Sequence, residues 1–287
     1  MRIKLLLVIT TLFAVLLGYG QTVQLPLKNG ALAFAVIGDS GSGAKAQYEV
    51  AAQMAAARRV FPFNFVLMLG DNLYGGDNPR DFERKFAQPY KALLDNRVNF
   101  YAALGNHDDP GRQILYDNFN MDGKKYYSFK PRNDVHFFAL NSNYMDRRQL
   151  EWFEKEISSS NSPWKIVFFH HPLYSSGRKH GPDTELRTVL EPLLVKHGVD
   201  VVFTGHEHFY ERFTPKNGIH YFIVGSSGKL RKGNIKTSPD SKGFDQDNAF
   251  LIAEISGDDL LFQAISRTGE TVDIGSVRRV EKSERRD

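Results

Sequence analysis

Five apolar runs in this sequence end on side chains that can bind a metal ion. Ala31 to Ile37 runs into Gly38-Asp39, Phe65 to Leu69 into Gly70-Asp71, and Phe100 to Leu104 into Gly105-Asn106-His107. Ile166 to Phe169 leads to His170-His171, and Val199 to Thr204 leads to Gly205-His206-Glu207-His208. Asp39, Asp71, Asn106, His170, His206 and His208 offer carboxylate, amide and imidazole donors without a thiolate. Such a set suits Fe, Zn or Mn. His206 and His208 alternate, so in an extended segment they share one face and can reach one metal cluster. Taken singly these residues say little. An Asp after a strand is usually a turn residue or helix cap, and a lone core histidine is more often a satisfied structural group than a ligand. Five in chain order, each closing an apolar run, are not accounted for in that way.

Continuous apolar runs of this length read as strands buried on both faces. Four helical patterns lie between them. Gln47 to Arg59 is rich in Ala, and Asp81 to Leu94 spaces Phe82, Phe86 and Tyr90 one turn apart. Asp146 to Ile157 is expected to bury Leu150, Phe153 and Ile157. Thr184 to Lys196 sets Leu186, Val189, Leu190, Leu193 and Leu194 on one side, with a kink expected at Pro192. Strands alternating with helices mean βα units and largely parallel sheets. Beyond them, Phe250 to Ile255, Leu260 to Ile265 and Thr271 to Ile274 are separated by glycine-bearing turns and read as an antiparallel meander. Ligands of open α/β sheets bind beyond the carboxyl ends of the strands, which gathers the six donors at one edge. Glycine before four of them lets the chain turn sharply there. No internal repeat or linker interrupts the chain, so one domain over 28–276 is expected, followed by a flexible charged tail over 277–287.

The five blocks resemble those of the calcineurin-like metallophosphoesterases. They stand here as Gly38-Asp39-Ser40-Gly41, Gly70-Asp71-Asn72-Leu73-Tyr74, Gly105-Asn106-His107-Asp108, Val167-Phe168-Phe169-His170 and Gly205-His206-Glu207-His208. Within that superfamily the chain looks most similar to the small single-domain purple acid phosphatases, of the tartrate-resistant type. Tyr74, three positions after Asp71, is the discriminating residue, and His180-Gly181-Pro182 resembles the substrate-side histidine of that type. The resemblance runs from about Leu32 to Leu230. It implies an α/β fold of four layers, αββα, in which two mixed β-sheets pack face to face with helices outside. It also implies an Fe(III) ion on Asp39, Tyr74 and His208, a divalent ion (Fe, Zn or Mn) on Asn106, His170 and His206, and Asp71 bridging the two. Carboxylates can bridge through their two oxygens, as two-metal phosphoesterase sites require, and a phenolate is a hard anionic donor matched to Fe(III). His107 and His180 would face the phosphate, orient it and protonate the leaving oxygen. His180 stands ten residues after His170, a spacing that differs by one residue from the family pattern. His171 reads as structural, because its strand neighbour His170 faces the site and Pro172 follows.

The implied reaction is hydrolysis of phosphate monoesters, with a metal-bound hydroxide as nucleophile, no phosphoryl-enzyme and an acidic optimum. Animal members carry a longer loop between the strand ending near Leu140 and the helix starting near Asp146. Here only Asn141 to Met145 fills the gap, so an open and constitutively active site is expected. The alternative within the superfamily is a phosphodiesterase, or a nucleotide or phospholipid phosphoesterase, working with two divalent ions. A non-catalytic binding protein on the same fold would show lost ligands, and all seven are present.

Composition narrows the rest. The chain has 287 residues, 41% hydrophobic and 24% charged, with 22 Phe and 12 Tyr to build a core. Those proportions exclude a disordered, fibrous or multi-span membrane protein. Arg2 and Lys4 precede an apolar run from Leu5 to Gly18, the pattern of a secretory signal peptide over residues 1–20. A secreted or periplasmic protein follows, or a membrane-anchored one if that segment is not cleaved. Without residues 1–20 the net charge drops from +4 to +2, which offers no basic groove for nucleic acid. With no cysteine the chain has no disulfide and cannot be a lipoprotein. The partners expected are small phosphomonoesters; the sequence does not give the oligomeric state, with a monomer favoured.

Overall fold

The computed structural model describes residues 23–236 and 238–279. The signal-peptide pattern of residues 1–20 and the last eight tail residues lie outside the described residues. The first sheet is built on three parallel strands, β1 (Leu32–Ile37), β2 (Phe65–Met68) and β3 (Asn99–Ala102). The second centres on four more, β5 (Val135–Ala139), β6 (Trp164–Phe168), β7 (Val201–Thr204) and β9 (His220–Val224). Antiparallel strands complete both. The expected meander, β11 (Ala249–Ser256), β12 (Asp259–Ser266) and β13 (Thr271–Arg278), joins the first sheet with Leu32 opposite Ile255. β4 (Tyr127–Arg132), β8 (Tyr210–Phe213) and β10 (Ser241–Phe244) flank the second. The sheets are therefore mixed, with six and seven strands.

Alternation along each central strand explains why the runs are apolar throughout. Val135 and Phe137 of β5 and Val201 and Phe203 of β7 point into the core between the sheets, while Phe138 and Val202 point to the other face. Phenylalanines zip the sheets together. Phe34 meets Phe137 edge-on at 5.4 Å, Phe65 meets Phe137 at 5.5 Å, and Phe222 meets Phe262 at 5.0 Å. Edge-to-face pairs of this kind add to the gain from area burial alone. α1 (Lys45–Val60) covers the first sheet with Val50, Met54 and Ala57. α5 (Arg147–Ser158) and α6 (Thr184–Lys196) cover the second with Phe153, Ile157, Leu186, Leu190 and Leu194. The four-layer αββα arrangement results. Among the described residues no helix is long and apolar enough to cross a membrane.

Several local expectations are corrected. The expected helix over 81–94 is broken into α2 (Pro79–Phe82), a π-helical turn (Glu83–Ala87) and α3 (Lys91–Leu94). The wider turn swings Lys85 inward, where it is 3% exposed. In α5 it is Gln149 that is buried beside Phe153 and Ile157, with Leu150 only half-buried; Gln149 ties down the carbonyls of Asn141 and Tyr144. α6 leaves Val189 exposed. Order also extends past both expected boundaries. Leu25 joins the core ahead of residue 28, and β13 takes in Val277 and Arg278, because Val277 packs opposite Leu260 and Arg278 pairs with Asp259.

His136 of β5 makes a testable contribution to stability. It is 4% exposed, with its ring centroid 4.0 Å from that of Phe138 and Nδ1 2.8 Å from Ser160 Oγ. Burial, helped by nearby Lys130, holds its pKa down at about 4 against an ordinary 6.5. Between those values the unfolded chain binds more protons than the folded one. Stability is therefore intact above pH 6.5 and drains away as pH falls toward 4, by up to about 3 kcal/mol. In His136→Gln the urea midpoint should depend less steeply on pH over this window; parallel curves for variant and wild type would sink the assignment.

Candidate metal centre

All seven expected donors come to one edge of the sandwich, beyond the carboxyl ends of β1, β2, β3, β6 and β7. They form two adjoining groups. In the first, single donor atoms of Asp39, Asp71 and His208 lie within 4.8 Å of one another. The Tyr74 hydroxyl joins them, 2.9 Å from Asp39 Oδ1 and 3.2 Å from His208 Nε2. In the second, Asn106 Oδ1 stands 3.0 Å from both His170 Nε2 and His206 Nδ1, which are themselves 3.2 Å apart. Asp71 lies between the groups, with Oδ1 3.5 Å from His170 Nε2.

The backbone is bent to achieve this. Asp39, Asp71 and His206 all adopt left-handed conformations, with φ of 52°, 52° and 67°. Non-glycine residues held there cost of order 1 kcal/mol or more each and cluster at functional sites. Glycine serves close approach as much as turning. A Cβ on Gly105 would stand 2.2 Å from Asp71 Oδ1, and one on Gly205 2.6 Å from Asp39 Oδ2. Backbone amides then orient the carboxylates, His206 N–H donating to Asp39 Oδ2 and His107 N–H to Asp71 Oδ1.

The donor set fits a pair of cations. His170 Nδ1 lies 2.9 Å from the Leu69 carbonyl oxygen, which can only accept, so the proton sits on Nδ1 and the Nε2 lone pair faces the Asn106 oxygen. Two lone pairs at hydrogen-bond distance repel unless a positive charge lies between them. The Leu69 carbonyl makes the kind of outer-shell contact that fixes the tautomer of a ligating imidazole. The electrostatics agree. Burial and the neighbouring Asp71 push the Asp39 carboxyl well up, and burial with Asp39 and Asp71 drives the Tyr74 phenol far up. Burial, then Arg231, holds His208 down at about 4, and burial, then His171, holds His170 well down. Neutral imidazoles are the ligating form, and cations among the carboxylates and phenol would reverse the upward shifts.

His107 and His180 are both exposed at the rim. The His107 ring centroid is 4.8 Å from that of Tyr74, beside the first group, and the His180 ring centroid is 4.5 Å from that of His206, beside the second. His171 is a correction. The chain bends at His170 and His171, so strand alternation no longer applies, and His171 turns toward the cluster with its ring centroid 4.5 Å from that of His206. Its Nδ1 is tied to Ser142 Oγ at 2.8 Å. Next to it a cavity of about 470 Å³ opens, lined by Asn106, Asn143, Tyr144, Lys125 and Asp183. The segment expected to be short is compact, its Asn141 and Tyr144 carbonyls held by Gln149.

Sequence reasoning assigned no role to four residues that support the site. The Asp108 carboxylate accepts from Gly105 N, Leu73 N and Asn72 Nδ2, binding two of the loops together. Lys85 Nζ donates to the carbonyls of Tyr74 and Gly76. Lys229 places its ammonium 4.5 Å from the Tyr74 ring centroid. Glu207, between two of the donors, is fully buried. Asp81, one helical turn before Lys85, pairs with its ammonium at 2.6 Å.

Known proteins resemble this chain in sequence and in fold. Purple acid phosphatase 17 of Arabidopsis thaliana is 30% identical over 268 residues, covering 80% of this chain and 79% of the relative. Among solved structures, the Plasmodium protein GAP50, described as the anchor in the inner membrane complex, superposes with a TM-score of 0.79 at 21% identity, covering 88% of this chain and 90% of its own. A purple acid phosphatase from yellow lupin, PPD1, gives 0.71 at 19% identity, covering 91% of this chain and 56% of its own. Both structural likenesses speak to the fold alone. The family's sequence pattern matches residues 32–210, a stretch that holds every one of the seven candidate donors, purple acid phosphatases are among the chain's relatives, and the chain belongs to the calcineurin-like phosphoesterase family.

Proposed function

We propose that this chain is an acid phosphatase that hydrolyses phosphate monoesters at a binuclear centre. Asp39, Tyr74 and His208 would hold Fe(III), Asn106, His170 and His206 a divalent Fe, Zn or Mn, and Asp71 would be shared. The observation that carries the reading is the Tyr74 hydroxyl standing at hydrogen-bond distance from both Asp39 and His208. A phenol among those donors favours a ferric ion over a second divalent one. When bound, such a pair of ions supplies Lewis-acid charge against the phosphoryl oxygens and activates water.

The protein's own groups do the rest. The amides of His206 and His107 fix the two carboxylates, so the donors are set before anything binds, and preorganisation of this kind is the larger part of electrostatic catalysis. His107 and His180 flank the two donor groups, where their imidazoles orient the phosphate and one of them gives a proton to the departing ester oxygen. Imidazole is a side chain suited to general acid–base transfer of this kind. The segment Asn141 to Met145 leaves the cavity open, so cleavage by a protease should not raise activity. The sequence pattern of Arg2, Lys4 and the apolar run to Gly18 supports export to the periplasm or medium.

The test is a visible spectrum of the oxidised protein produced with iron, with a pH–rate profile on a monoester and its matched diester. A broad tyrosinate-to-Fe(III) band that disappears in Tyr74→Phe, monoester preference and a rate maximum in acid are expected. A colourless active protein that prefers the diester, or a maximum above pH 8, puts the two-divalent-ion diesterase in its place.

A further inference from the structure

We infer that Glu207 is a positioning residue that holds His180 over the site, an inference that rests on the phosphatase reading above. Glu207 lies between His206 and His208, yet its side chain points away from the donors into the protein, fully buried. Its Oε1 accepts from Gly181 N at 2.7 Å and Ser175 Oγ at 3.2 Å. Its Oε2 accepts from Asn234 Nδ2 at 3.2 Å and stands 3.8 Å from Arg231 Nη1. Gly177 packs so close that a Cβ there would come within 2.2 Å of Oε1.

These partners lie on two segments that also bond to each other. Arg178 N donates to Asn234 O and Lys236 N to Ser176 O. Glu207 thus bonds to both the segment that carries His180 and the segment that carries Arg231, while buried Glu211 holds the first of them at Ser176 N. Among the described residues the His180 imidazole itself makes no hydrogen bond, so its backbone sets where it stands. The peptide that follows it ends in the Gly181 N–H, which Glu207 holds. The bonds of Ser176 N to Glu211 and of Arg178 N to Asn234 O fix the segment four and two residues earlier, so the Gly181 amide is the anchor nearest the exposed ring, and the ring moves when that amide is released. Displacement of about 1 Å of a group that must meet a reacting atom can cost around a hundredfold in rate.

The experiment compares an alkyl phosphate, whose leaving oxygen needs a proton, with p-nitrophenyl phosphate, whose leaving group does not. His180→Ala should lower kcat on the alkyl ester by about a hundredfold. Glu207→Leu, which removes both acceptors at similar volume, should lower it by about tenfold with KM little changed, in line with loss of placement and not of the group. Both losses should be smaller on the nitrophenyl ester. In the double variant Glu207→Leu should add no more than about twofold to His180→Ala, because coupled residues are not additive. Glu207→Gln, which keeps one oxygen for Gly181 and Ser175, should recover most of the activity. Gly177→Ala, which forces the segment off the carboxylate without touching it, should reproduce the selective loss and keeps the idea testable if Glu207→Leu does not fold.

Additive losses, equal losses on both esters, or departure of bound metal from Glu207→Leu overturn the inference. If His180→Ala shows no dependence on the leaving group while wild type hydrolyses both esters, the inference fails and the phosphatase reading stands. If wild type hydrolyses neither ester, both fail.

Discussion

Asp71→Asn should lower kcat by about a thousandfold or more and release one ion per chain, while making the metal-free protein more resistant to heat. The two halves of this result have one cause. Asp71 lies between the two donor groups, accepting from His107 N at 2.9 Å and standing 3.5 Å from His170 Nε2. Its charge is one of the causes pushing the buried Asp39 carboxyl up, and it does the same to Tyr74. An amide of the same shape removes that repulsion, so the metal-free variant should unfold a few degrees higher. The same exchange removes the negative oxygen that both ions would share and turns an N–H₂ group toward either an imidazole lone pair or the His107 N–H. Active sites hold such destabilising arrangements because function needs them. Metal analysis, steady-state kinetics and thermal unfolding in chelator together make the check. Two ions retained with activity within tenfold of wild type would remove Asp71 from the shared position, and a lower melting temperature in chelator would remove the repulsion argument.

The donors were legible in the sequence because their chemistry demands a position as well as a residue type. A buried parallel strand must read as an unbroken apolar run, and the first polar residue after it stands at the sheet edge where ligands bind. Asp39, Asp71, Asn106, His170 and His206 all follow that rule, and the structure brings them together. Tyr74 has no strand to place it, and its position became readable only through resemblance. The expected layers follow from the same runs, whereas β4, β8 and β10 mix charged and polar residues with apolar ones and carry no such signature. His171 was misread because strand alternation was extended one residue past the point where the chain bends. Lys85 and Glu207 were passed over for a different reason. A charged residue in a sequence looks like a solvated one, and burial of its charge depends on partners that arrive from elsewhere in the chain. For Lys85 those partners are carbonyls nine and eleven residues away, brought within reach by a π-helical turn that no periodicity announces.

Lys85→Met should destabilise the protein by about 3–5 kcal/mol and weaken the tyrosinate-to-Fe(III) band without changing any donor. The Lys85 ammonium, 3% exposed, donates to Tyr74 O at 2.5 Å and Gly76 O at 3.1 Å and pairs with Asp81 Oδ1 at 2.6 Å. Met matches the volume of the stem but satisfies none of these acceptors. Two carbonyls are then left without a donor, and the Asp81 carboxylate loses the partner that contributes most to holding its pKa low. Removing one member of a buried pair is more costly than never having had the pair, because the other charge stays behind. In a domain of this size each kcal/mol moves the melting temperature by about 2–4 °C, so a fall of roughly ten degrees is expected. The Tyr74 carbonyl is the point at which stability and site meet. Its segment is otherwise tied by Tyr74 N to Gly41 O at 3.0 Å and by Leu73 N to Asp108 Oδ1 at 3.1 Å, contacts on the N-terminal side of the ring. With the carbonyl side released, the phenol samples positions away from Asp39 and His208, and the band should lose intensity in proportion. Lys85→Arg, too wide for the same niche, should fall between the two. If Lys85→Met melts within two degrees of wild type with its band intact, the buried ammonium is not what anchors Tyr74. A large fall in melting temperature with an unchanged band would confine Lys85 to the fold and leave Gly41 and Asp108 to place Tyr74.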